Sequence, residues 1–185
     1  MTCLRKKPAA KQRTNEYASI EDFCSVFTEG RNDLYGLSFQ LTGDHDQAEQ
    51  CLVAGWEDCF TATRVFKEWA RSWAKRTVIQ NAIRKLKPHP SIASSSWFTV
   101  PIYIGELPSG VNPHFELSAV LALEDFERFV FVMSVLERYS QHDCALLLGC
   151  THRQIEDART RAFAQLTATR RAVFASEHHS EMLHE

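Results

Sequence analysis

Apolar residues recur at three- and four-residue spacings through two stretches, roughly 19–87 and 115–172, and the spacing breaks down between them. In the first stretch Ser19 caps a short amphipathic helix through Ile20, Phe23, Val26 and Phe27, which ends at Gly30. A second helix spans roughly Asp33 to Leu41 and stops at Thr42-Gly43, the glycine supplying a left-handed turn. Asp44 caps a third, whose apolar positions are Ala48, Cys51, Leu52, Gly55, Trp56 and Cys59. The fourth and longest runs from about Arg64 to Leu86, and Pro88 closes it. Its expected buried face is Phe66, Trp69, Ala70, Trp73, Thr77 and Ile83.

The prolines at 88, 90, 101, 108 and 113 and the serine run 94–96 prevent a long helix, so 88–114 reads as an irregular linker. Within it the apolar piece from Trp97 to Ile104 is expected to pack in extended form, Pro101 excluding a central strand. A helix over Leu117 to Leu123 and a strongly apolar one over Phe126 to Arg138 open the second stretch, and residues 173–185 are expected to fray. The expected fold is all-α: two small helical domains, 19–87 and 115–172, joined by the linker and preceded by a basic arm, 1–18.

The segment from Ser140 to Leu166 has the spacing of a DNA-binding helix-turn-helix. Such a motif needs a small residue where the helices cross, a residue tolerant of positive φ in the turn, and a β-branched anchor facing back. Ala145, Gly149 and Ile155 stand at those offsets. Cys144, Leu148 and Cys150 supply the buried positions, while Ser140 and Thr151 are suited to cap the two helices.

Composition narrows the function classes. A net charge of −2 over 185 residues gives no global nucleic-acid signature, but Arg5, Lys6, Lys7, Lys11 and Arg13 concentrate charge in the arm. That run reads as a solvated arm able to graze phosphate or acidic protein surfaces. The amino-terminal stretch has no apolar core of a signal peptide, and no stretch approaches a bilayer span, so no membrane role is expected. Six cysteines without a CxxC pair fit reduced thiols in a cytoplasmic protein. His142, Cys144, Cys150 and His152 form an H-x-C…C-x-H pattern, but the cysteines are already required as small hydrophobes, so neither a metal nor a cofactor is expected. No phosphate-cradling glycine loop or G-x-S-x-G is present, and no enzymatic activity is expected.

The order of these parts resembles the extracytoplasmic-function sigma factors of the sigma-70 family across nearly the whole chain. The carriers are LYGLSFQLTGDHDQAEQCL at 34–52, FKEWARSWAKRTVIQNAIR at 66–84 and LALEDFERFVFVMSVLERYS at 121–140. The resemblance implies two small helical domains, binding to core RNA polymerase and recognition of promoter DNA at the −10 and −35 elements. It places polymerase docking on Gln50, Val53, Ala54 and Glu57, and an anti-sigma or other regulatory protein is a further implied partner. The chain departs from the family where a polar docking face is usual and Gln50-Cys51-Leu52-Val53-Ala54 stands instead. The family's basic recognition helix is replaced by Arg153-Gln154-Ile155-Glu156-Asp157-Ala158.

The DNA-facing set expected from the residues has two parts. Arg64, Lys67, Arg71 and Lys75, widened by Arg76 and Arg84, form a basic stripe on the fourth helix with only Glu68 as an acidic neighbour in sequence. Arg153, Gln154, Arg159 and Thr160 remain on the recognition helix, where Arg153 is able to read guanine and Gln154 adenine. Trp69 and Trp73, at i and i+4, are expected in the core, with base stacking as the alternative. The reading overall is a sigma-type initiation factor. The alternative is a sigma-like interaction protein that no longer starts transcription.

Overall fold

A computed structural model describes residues 16–61, 64–90 and 117–181, of which 169–181 are described through their backbone. The described residues are helical apart from connecting turns and one isolated bridge between Tyr17 and Phe66. The linker from 91 onward, with its extended Trp97–Ile104 piece, and arm residues 1–15 lie outside the described residues.

Four helices form the first group: α1 (Ile20–Glu29), α2 (Arg31–Thr42), α3 (His45–Thr61) and α4 (Ala70–Leu86). Ser19 and Asp22 close a reciprocal capping box on α1, Asp22 N–H donating to Ser19 Oγ at 3.2 Å and Ser19 N–H to Asp22 Oδ2 at 3.0 Å. Gly43, at φ +70°, ends α2 in the left-handed turn expected of it, and Asp44 Oδ1 accepts from Gln47 N–H at 2.8 Å to start α3.

The long fourth helix starts later than its sequence pattern suggests. Arg64 is in the left-handed region at φ +65°, Phe66 is extended, and a 3-10 turn over Lys67–Trp69 leads into α4 at Ala70. The chain is held extended here because the end of the arm pairs with it. Ala18 N–H donates to Val65 O at 2.8 Å and Lys67 N–H to Glu16 O at 2.9 Å. Residues 16–18, expected within a free arm, are therefore fastened to the first group.

The second group holds α5 (Leu117–Leu121), α6 (Asp125–Phe131), α7 (Gln141–Leu148) and α8 (His152–Glu181). The single helix expected over 126–138 passes instead from α6 into a π turn, Val132–Leu136. The backbone of α8 continues to Glu181, into the stretch 173–185 expected to fray.

Two apolar clusters hold the molecule. One belongs to the first group: Phe23, Leu34, Cys59, Val65, Ala70, Ala74 and Val78. The other spans both groups, joining Leu37, Leu41, Ile79 and Ala82 to Phe126, Phe129, Val130, Met133, Ile155 and Leu166. The two groups therefore share a core. Arg128, only 7% exposed, fastens the junction. Its Nε donates to Leu41 O at 3.1 Å, its Nη1 to Leu121 O and Leu123 O at 3.3 and 3.2 Å, and its Nη2 to Asp125 Oδ1 at 2.6 Å. Such bonding offsets the desolvation of a buried guanidinium. No helix among the described residues is long and apolar enough to cross a membrane.

Candidate nucleic-acid interface

The helix-turn-helix is built as its spacing demands. Ser140 Oγ accepts from Asp143 N–H at 3.1 Å to cap α7. Gly149 ends α7 at φ +64°, and a Cβ there would meet nothing within 4 Å, so glycine is needed for backbone conformation and not for space. Ala145 and Ile155 are buried at 6% and 2% exposure, and Gln141 Nε2 ties α7 to His152 O at 2.9 Å. Cys144 is fully buried, whereas Leu148 and Cys150 are half-buried at the edge of the core. Burial pushes the Cys144 thiol up to about 11. His142 and His152 are exposed across the turn, their rings perpendicular at 5.7 Å, so the H-x-C…C-x-H residues divide between surface and core.

The start of α8 faces solvent with mixed charge. Arg153 is almost fully exposed, its Nε 3.9 Å from Asp157 Oδ2, and Glu156 and Arg159 are exposed nearby. Gln154 is occupied: Thr151 N–H donates to its Oε1 at 2.9 Å while Thr151 Oγ1 accepts from Gln154 N–H at 3.3 Å. A bidentate contact with adenine uses both the oxygen and the nitrogen of the amide, so that reading role would break the helix cap. Thr160 Oγ1 donates back to Glu156 O at 2.9 Å.

The basic stripe is less free than sequence neighbours suggest, because its carboxylate partners come from other helices. Lys67 Nζ lies 2.7 Å from Asp22 Oδ1, Arg71 Nη2 2.9 Å from Asp33 Oδ2, and Arg84 Nη1 2.9 Å from Asp58 Oδ2. The Lys67 ammonium, with the Ser19 N–H, holds the Asp22 carboxyl below its usual range. Lys75 pairs with Glu137 of the second group at 2.6 Å, partly buried, and Arg76 is half-buried near Tyr139. Lys75 and Arg76 thus stand at the junction between the groups. Arg64, Lys67 and Arg71 face solvent, the last two through exposed pairs that water and salt weaken.

Trp69 and Trp73 are corrected from core to surface, at 57% and 37% exposure. The face of α4 that packs inward is Ala70, Ala74, Thr77, Val78, Ile79 and Ala82. Small residues are required there because α3 lies very close: a Cβ on Gly55 would fall 2.9 Å from Val78 Cγ2. Indoles do not fit that gap. Tyr17 stacks on Phe66 at 5.1 Å, and Phe66 meets Trp69 edge to face at 5.1 Å, forming an aromatic ladder beside Arg64 and Lys67 in the chain.

The expected polymerase-docking residues do gather. Gln50, Val53, Ala54 and Glu57 line one shallow, open groove on the outer face of α3, with Asp46 and Glu49, all six from that one helix. Val53 is 52% exposed, and Trp56 and Phe60 meet edge to face nearby at 4.6 Å. The sequence pattern named Glu57 on this face but took 50–54 as neutral and apolar and left out Asp46 and Glu49. The signal was available, since 46, 49, 50, 53 and 57 share one helical face. Compared with known proteins, the chain matches no family model and no curated sequence.

Proposed function

We propose that the protein is a sigma-type DNA-binding protein that works with core RNA polymerase at promoter DNA. The observation that carries this reading is the helix-turn-helix, in which left-handed Gly149 ends α7 and one face of the first turns of α8 is exposed while Ile155 and Ala158 are buried. The ladder Tyr17–Phe66–Trp69, exposed at Tyr17 and Trp69 and with Arg64, Lys67 and Arg71 close to it in the chain, supports a second contact, to unpaired bases stacked on aromatic rings. The groove on α3 supplies the surface for the polymerase. Of the recognition-helix residues, Arg153 and Arg159 meet phosphate or bases, and Gln154 holds the helix start.

The test is a salt titration of promoter-DNA affinity, with and without core polymerase. Replacing Arg64, Lys67 and Arg71 together by glutamine lowers affinity and flattens the salt dependence, by a slope of ~0.9 for each phosphate of duplex DNA that is no longer neutralised. Glu156→Lys does the reverse. A wild type that binds no DNA in either setting, with Glu156→Lys changing nothing, overturns the reading. A second reading, a sigma-like protein that binds a regulatory partner and no longer initiates transcription, is favoured by Glu156 and Asp157 at the recognition position. It predicts that core polymerase is not bound.

A further inference from the structure

Asp46, Glu49 and Glu57 on the outer face of α3 are exposed, and none has an ion-pair partner among the described residues. Asp22, Asp33, Asp58 and Glu137 each hold a cation. These carboxylates flank Val53 and Ala54 along the shallow groove on this exposed face of α3. We propose that this groove is the docking site of the chain's own basic arm, residues 1–15.

Charge, composition and reach all favour that occupant. The arm carries Arg5, Lys6, Lys7, Lys11 and Arg13 and no carboxylate, with Leu4 before them and Ala9 and Ala10 among them to meet Val53 and Ala54. Its attachment point is fixed a few residues beyond the end of α3, where Glu16 O accepts from Lys67 N–H and Tyr17 stacks on Phe66. Fifteen extended residues reach about 50 Å at ~3.3 Å each. The groove-bearing helix is about 25 Å long at ~1.5 Å per residue. Tethering raises the local concentration of the arm to the millimolar range, so pairs that are weak one by one act together. Glu156 and Asp157, an acidic pair on α8, already have Arg153 beside them. Docking of the arm on α3 would cover Gln50, Val53, Ala54 and Glu57, so the arm competes with any partner that uses this groove, whether or not that partner is the polymerase.

Zero-length carbodiimide cross-linking of a mixture of isotopically light and heavy full-length chain tests the proposal. At low salt, amide bonds should join Lys6, Lys7 or Lys11 to Asp46, Glu49 or Glu57 within one chain. They should vanish near 1 M salt, where the screening length falls to ~3 Å. In a parallel measurement, changing Arg5, Lys6, Lys7, Lys11 and Arg13 to glutamine should shift the backbone amide resonances of residues 46–60, with the remaining helices unmoved. Links to Glu156 or Asp157, links only between light and heavy chains, the absence of links to α3, or unmoved α3 resonances would each overturn it.

Discussion

Two glycines carry opposite constraints. At Gly149 the space is open and the φ is +64°, so Gly149→Ala meets only backbone strain, roughly 1–2 kcal/mol, while asparagine is tolerated better. Gly149→Val adds a β-branched residue to that conformation and should cost more, seen as a lower urea midpoint. At Gly55 the backbone is ordinary but the space is missing: an added Cβ would fall 2.9 Å from Val78 Cγ2 and 3.1 and 3.2 Å from the Val78 backbone N and Cα. Gly55→Ala should therefore destabilise by about 1–3 kcal/mol, although alanine is the better helix former. Val78→Ala costs stability on its own by opening a cavity, so the contact is read as coupling: the double mutant should lose less than the sum of the two single losses, and strictly additive losses would refute the side-chain contact. Titration at one buried and one half-buried group, Cys144 and Tyr139, gives a pH dependence. Burial pushes the Tyr139 phenol up to about 12 and the Cys144 thiol up to about 11. In the unfolded chain these groups ionise near ~10 and ~8.5. The folded state thus keeps protons that the unfolded state releases, and stability, full below about pH 8.5, falls as pH rises toward ~12. Tyr139→Phe should flatten the upper part of that fall in urea titrations at stepped pH.

At the scale of elements, α4 and α8 show what sequence pattern carries and what it omits. The helix-turn-helix was legible because each of its demands is local: a cap at Ser140, a left-handed turn at Gly149, a small residue at Ala145 and an anchor at Ile155. The face of α4 was not legible, because helical spacing places Trp69 and Trp73 together without saying which side the neighbouring helix approaches. Gly55 on α3 decides that, by admitting Val78 at close range and leaving the indoles outside. The charge of the stripe was misread for the same reason, since Asp22, Asp33 and Glu137 arrive from elsewhere in the fold. An exposed pair of indoles makes its own prediction. Trp69→Ala and Trp73→Ala should leave the melting temperature nearly unchanged while weakening binding to single-stranded DNA, by ~1–3 kcal/mol for each base left unstacked. A large drop in melting temperature would return them to the core.

For the whole molecule, the shared cluster makes the two helical groups interdependent. Arg128 satisfies Leu41 O from the first group and Leu121 O and Leu123 O from the second, so its removal strands carbonyls on both sides. Arg128→Met should cost several kcal/mol, in the range of ~3–5 expected when one member of a buried charged network is removed. Wild-type unfolding should be a single transition by fluorescence and circular dichroism. In Arg128→Met the two groups should begin to melt separately, and coincident transitions by the two probes would show that the junction rests on the apolar cluster alone.

The same cluster sets a problem of timing during synthesis. Leu37, Leu41, Ile79 and Ala82 emerge from the ribosome with the first group, but the side chains that cover them extend to Leu166. At ~5–20 residues per second the wait is on the order of ten seconds. Through that interval the nascent chain presents a sticky, half-finished surface. A cell making this protein must shield that surface with a chaperone, or accept that some chains associate with one another before α8 arrives.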